Sequence, residues 1–203
     1  MESVSANAKD NRRKVSYNQA HKAISKLIEY IGEDPNREGL IGTPDRILRM
    51  WKEIFRGYNP GEKPKITTFT NDDHLTDMVF DSGTYYSMCE HHVLPFFGNY
   101  YFAYIPSASG RILGLSKIAR VVGYCAARLQ LQERLARQIV EMLSEALEGN
   151  HQGMALMMRG THLCKTMRGV KNNGKMSAVF LSGAFKDDDA TRKEFYQLIE
   201  QDV

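Results

Sequence analysis

The chain has 203 residues, 42% hydrophobic and 25% charged, with a formal net charge of +3. This is an ordinary globular composition, long enough for one domain with a real core and a smaller appendage. So small a charge gives no ground for a nucleic-acid or membrane partner. No apolar run is long enough to span a bilayer, and MESVSANAKDNRRK lacks the apolar core of a signal peptide, so the cytoplasm is the expected location.

In chain order, residues 1–15 read as a polar, disordered tail. Ala20, Ala23, Ile24, Leu27, Ile28 and Ile31 recur at helical spacing. Gly42-Thr43-Pro44-Asp45 then predicts a helix start, with Thr43 as N-cap and Pro44 in the first helical position. Ile47, Met50, Trp51 and Ile54 make that helix's apolar face, and Gly57 and Pro60 stop it. Residues 16–64 are thus a helical region.

From residue 65 the texture changes, and 65–203 is expected to be the main domain. ITTFTN, MVFDSGTYYSM and NYYFAYIPSA are rich in β-branched and aromatic residues and predict strands. Helical spacing returns at Gly114 with Leu115, Ile118, Val121, Val122 and Cys125. A second long helix carries Leu131, Leu135, Ile139, Met142, Leu143 and Ala146, closed by Gly149-Asn150. GMALMMRGTH and MSAVFLSGAF predict further strands, and a last helix, capped by Asp189, buries Phe195, Leu198 and Ile199. A helix pair between groups of strands predicts an α+β fold, an antiparallel sheet with helices on one face.

The three cysteines, Cys89, Cys125 and Cys164, are an odd number in a chain read as cytosolic, which argues against a disulfide framework. Cys125 lies on an apolar helix face and reads as core. The run Cys89-Glu90-His91-His92 packs one thiol and two imidazoles into a turn. Far down the chain, THLC brings His162 and Cys164 to one side of a strand end, because strand side chains repeat every second residue. Cys89, His92 and Cys164 are the simplest set that converges on one ion. Two thiolates and an imidazole suit Zn²⁺, and three protein ligands leave a fourth position for water, whose pKa such an ion lowers to about 7. His91 and His162 would then stand free to move protons. Two alternatives stay open: a structural zinc closed by Glu90, and a thiol nucleophile with a histidine base.

GLSKIAR opens a helix with Ser116, Lys117 and Arg120, and a helix start already favours anions. Lys165 and Arg168 follow Cys164, and Arg49 on the second N-terminal helix is a further cation. Together these suit a polyphosphate. In QLQER, the Glu133 carboxylate with Gln132 has the acceptors to read the donor edge of a guanine.

The motifs CEHHVLPFFG, AYIP, GLSKIAR, QLQERL, HLCKTMRGV and TRKEF, in this order from Tyr17 to Ile199, strongly resemble GTP cyclohydrolase I. The resemblance implies the tunnelling fold: an antiparallel sheet with two long antiparallel helices on one face, assembled into a toroidal homodecamer with active sites at subunit interfaces. It implies GTP as substrate, opening of guanine's five-membered ring, loss of C8 as formate, and 7,8-dihydroneopterin triphosphate as product. By position it implies zinc on Cys89, His92 and Cys164, with His162 protonating the purine. His91 would serve proton transfer at the ribose. Ser116, Lys117, Arg120 and Arg168 would hold the triphosphate or ribose, with Arg49 a further phosphate contact, and Gln132 and Glu133 would hold guanine. The chain departs from the pattern at Lys175 to Phe180, where relatives carry a threonine-rich run, and at Leu129, where a proline is frequent. A diverged relative acting on another purine nucleotide, and a non-catalytic zinc-stabilised GTP-binding assembly protein, are the competing readings.

Overall fold

The computed structural model describes residues 15–202, so all but the end of the expected N-terminal tail lies outside it. Two compact units divide the chain, Met1–Glu53 and Ile54–Val203.

In the first unit, α1 spans Tyr17–Tyr30. Ser16 starts it with a reciprocal cap: its side chain accepts from the Gln19 N–H, and the Gln19 side chain accepts from the Ser16 N–H at 2.8 Å. Helix α2 spans Thr43–Ile54 and includes Thr43, the residue expected just outside it. Its run stops at Ile54, ahead of Gly57 and Pro60, and the second unit opens with short 3₁₀ turns at Arg56–Tyr58 and Pro60–Glu62. Within this unit the Tyr17 hydroxyl donates to Asp45 at 2.5 Å, tying α1 to α2. The apolar face expected on α2 is only partly covered: Ile47 and Ile54 are half-buried, while Met50 is 46% and Trp51 38% exposed.

In the second unit the order is β1 (Thr68–Thr70), β2 (Val79–Cys89), β3 (Pro95–Pro106), β4 (Arg111–Leu113), α3 (Ser116–Ala126), β5 (Leu129–Gln130) and α4 (Gln132–Ala146). Then come β6 (His151–His162), α5 (Leu163–Thr166), β7 (Met176–Gly183), α6 (Ala184–Asp187) and α7 (Asp189–Asp202). The main sheet runs β5-β2-β3-β6-β7, and β1 pairs with β4 apart from it. All main-sheet pairs are antiparallel except β5, which joins β2 in parallel through Met88↔Leu129 and Cys89↔Gln130. The sheet is therefore mixed. A two-residue strand has no periodicity to read, and its pairing places the α3–α4 connection beside Cys89.

Alternation sorts the two faces. Tyr85, Phe96, Tyr100, Phe102, Tyr104, Met154, Leu156 and Met158 pack against Ile118, Val121, Val122, Leu135, Ile139 and Leu143 of α3 and α4. Tyr101, Ala103, Ile105 and Ala155 face the other way, onto Phe185, Phe195 and Ile199. Helices thus cover both faces, α3 and α4 on one and α6 and α7 on the other. The last helix is capped by Asp188, whose carboxylate accepts from the Thr191 N–H at 2.8 Å, rather than by Asp189, which pairs with Arg192. Gly98 and Gly160 are cross-strand partners on β3 and β6. A Cβ at Gly98 would lie 2.0 Å from the Arg159 carbonyl oxygen, and one at Gly160 2.3 Å from the Tyr85 hydroxyl, so only glycine permits this approach.

Candidate metal centre and active site

The cluster sits where β2 and β6 end. Cys89 is the last residue of β2 and is 4% exposed. The chain then turns back tightly: the Cys89 N–H donates to the Leu94 carbonyl and the Val93 N–H to the Cys89 carbonyl, both at 2.9 Å. Val93 takes a positive φ of 52° to close the turn. The next strand begins at Pro95, and its Phe96 pairs with His162 at the end of β6. The first turn of α5 then delivers Cys164. Two strand ends and one helical turn therefore meet at one point.

The thiols of Cys164 and Cys89 lie 3.7 Å apart. Cys89, His162 and Cys164 each offer a ligand atom, all within 4.8 Å of one another. Burial, then the contact with Cys89, pushes the Cys164 thiol above its usual pKa, since two adjacent thiolates repel in a poorly solvated place. A bound cation reverses that preference.

The imidazoles divide. His91 places Nδ1 3.7 Å from the Cys89 sulfur. The Nε2 of His92, part of the expected ligand set, instead accepts from Arg168 Nη1 at 2.8 Å. One lone pair cannot serve a guanidinium and a metal together. His162 lies flat against Phe96, with centroids 4.5 Å apart and planes 6° apart, and its Nε2 stands 2.9 Å from Gln132 Oε1. Burial lowers the His162 pKa, opposed by the Glu133 carboxylate.

Around the thiols the supports are polar. The Glu90 N–H donates to the Gln130 carbonyl at 3.1 Å, and the Glu90 carboxylate pairs with Arg134 on α4. Arg134 also donates to Gln130 Oε1 at 3.2 Å. Glu90 is thus engaged with α4. Cys125, 1% exposed, belongs to the core, and burial pushes its thiol up to about 11.

Ser116, Lys117 and Arg120 occupy the first turns of α3, with Ser116 and Arg120 exposed and Lys117 half-buried. Glu133 is exposed on the first turn of α4, whereas Gln132 beside it is 1% exposed. Lys165 is spent on its own loop, donating to the Gly174 carbonyl at 3.0 Å. Arg49 lies on α2 in the first unit, exposed. Two participants escaped the sequence reading, Phe96 and Arg134. Phe96 has its role through strand register and Arg134 through the turn that carries Glu90, and neither carries a local signal.

A sequence profile described as GTP cyclohydrolase I matches residues 20–200. The GTP cyclohydrolase 1 of Thermoanaerobacter pseudethanolicus is 47% identical over 179 residues, covering 88% of this chain and 94% of that one. The Caldanaerobacter subterraneus subsp. tengcongensis enzyme of the same name is 46% identical with the same coverage. That of Streptococcus pyogenes serotype M49 is 40% identical over 96% of this chain and 99% of its own. Among solved structures, an archaeosine synthase QueF-Like in the apo form overlaps 52% of this chain and 93% of its own. At 18% identity and a TM-score of 0.42, that overlap is too loose to add to the topology above. The profile match over nearly the whole chain and these full-length relatives show that the chain belongs to the GTP cyclohydrolase I family.

Proposed function

We infer that the protein is a zinc-dependent GTP cyclohydrolase I of the tunnelling fold. It hydrolyses the imidazole ring of the guanine of GTP, releases C8 as formate and recloses the remainder as 7,8-dihydroneopterin triphosphate. The observation that carries the metal part is the pair of thiols 3.7 Å apart. Two sulfurs bound at about 2.3 Å to one tetrahedral ion stand about 3.8 Å apart, so the spacing suits zinc without rearrangement.

Cys89 and Cys164 would hold the ion, with His92 as the imidazole ligand by its C-x-x-H spacing. Ligation through His92 Nε2 would require Arg168 to leave that nitrogen. When bound, zinc supplies Lewis acidity and water activated at neutral pH. The remaining steps fall to the chain's own side chains. His162, within 4.8 Å of both thiols, is close enough to give a proton to a purine nitrogen as its ring opens. His91, beside the Cys89 sulfur, is in reach of proton transfers on the ribose during the later rearrangement. Glu133 accepts from the guanine ring N–H and exocyclic amine. Lys117 and Arg120 at the α3 start, with Arg168, would offset the charge of the triphosphate, and the Ser116 hydroxyl would hydrogen-bond it or the ribose. The homodecamer belongs to the same reading, and light scattering tests it by mass.

The experiment is to incubate zinc-replete protein with GTP, then measure formate and, after oxidation, a fluorescent pterin, beside a chelated control. Both products, lost on chelation, are expected. Formate without pterin would locate the failure in the rearrangement. Neither product with GTP, but turnover of another purine nucleotide, would overturn the substrate. GTP binding without any turnover would replace the enzyme reading with a GTP-binding assembly protein.

A further inference from the structure

Gln132 is the first residue of α4 and 1% exposed, while its neighbour Glu133 is exposed. Successive helical side chains point about 100° apart, so the two cannot face the same ligand equally. The Gln132 amide nitrogen donates to the Met158 carbonyl of β6 at 2.7 Å and to the Met176 carbonyl of β7 at 3.1 Å. Both amide hydrogens are spent, and they fix which way the amide points. The atom turned toward His162 is therefore Oε1, which can only accept. At 2.9 Å it requires His162 Nε2 to carry a hydrogen. In the neutral imidazole the free lone pair is then on Nδ1. Phe96, 0% exposed, stacks on the ring and fixes its plane.

We propose that Gln132 is a positioning residue: anchored on two main-chain carbonyls, it fixes the orientation of the His162 ring and its Nε2–H tautomer, so that the ring's free lone pair is on Nδ1. Recognition of the guanine edge then falls to Glu133. The device uses main-chain carbonyls of β6 and β7, so it does not depend on which side chains the run from Lys175 to Phe180 carries. Its consequence for catalysis rests on the proton-transfer role of His162 given above, whereas the tautomer does not.

The test combines one measurement on the intact protein with two variants. In ¹⁵N-labelled full-length protein above the His162 titration, the imidazole shifts should report protonated Nε2 and bare Nδ1; the reverse pattern overturns the proposal. Gln132→Leu should lower kcat by at least about 10²-fold, within the range general acid–base catalysis contributes, and leave KM for GTP within about threefold. Its His162 signals should move to a mixture of tautomers. Glu133→Ala should do the opposite, raising KM more than it lowers kcat. A raised KM with kcat kept in Gln132→Leu would make Gln132 a guanine contact and overturn the proposal, as would unchanged kinetics. Should Gln132→Leu fail to fold, the NMR result on the intact protein still decides. Absence of formate from the unmodified protein would count against the enzyme reading and leave the tautomer standing.

Discussion

The middle of the sheet and its rim are built by the same strands and held by different forces. At the centre of the β3–β6 pair, Phe102 faces Leu156 with both side chains fully buried, and no polar atom needs an answer. A few residues along, the same strands end in Phe96 and His162, where the buried groups are largely polar and directional. Gln132 is answered by two carbonyls and an imidazole, Gln130 by Gln138 and the Cys125 carbonyl, and Ser87 by the Ala126 carbonyl at 2.7 Å. Each such group left unanswered would cost about 1–3 kcal/mol. The centre supplies stability through area and shape. The rim holds reactive groups at fixed distances, because hydrogen bonds constrain direction as apolar contacts do not.

The comparison breaks most sharply at Cys164. Cys164→Ala should abolish turnover and zinc retention, read by formate assay and by metal content after dialysis, with a circular dichroism spectrum like the parent's. Retained activity would remove Cys164 from the metal set. At the centre the signs invert. Phe102→Ala should cost about 3–5 kcal/mol in urea unfolding, by lost burial and a residual cavity, while zinc content per folded molecule stays unchanged. Loss of zinc from folded Phe102→Ala would show that the two regions are not separable.

A smaller effect sharpens the comparison at Asp81, a half-buried carboxylate on β2 that accepts from the Tyr100 hydroxyl at 2.8 Å. Burial raises its pKa, with the Tyr100 hydrogen bond opposing. The folded state then binds the proton more tightly than the unfolded chain, so stability falls as pH rises from about 4 through the folded pKa. Above that range the penalty is complete. Asp81→Asn keeps an acceptor for Tyr100 and should be more stable than the parent at pH 7, with the difference vanishing near pH 3. Equal unfolding midpoints at both pH values would rule this out.

Much of this was legible in the sequence for a physical reason. Helices α1, α3 and α4 announce themselves because an apolar face must repeat with the helical period to be buried. The strands do so because β-branched and aromatic residues suit a pleated, half-buried surface. Cys89 and Cys164 were legible because thiols near histidines are scarce and chemically pointed. β5 was not, since two residues carry no period. The α7 cap moved by one residue because neighbouring aspartates offer the same chemistry, and only the Thr191 N–H selects Asp188.

The sequence by itself determined the family, the order of the long elements and the chemical inventory of the site, since local periodicity and residue chemistry are written along the chain. Tertiary structure alone decided how that inventory is shared. Strand register stacked Phe96 on His162, and the turn after Cys89 gave Glu90 to Arg134. The crossing of α4 over β6 and β7 spent both amide hydrogens of Gln132 on backbone carbonyls. Such contacts join residues tens of positions apart, and a side chain's role follows from which of its donors and acceptors its distant neighbours have already taken.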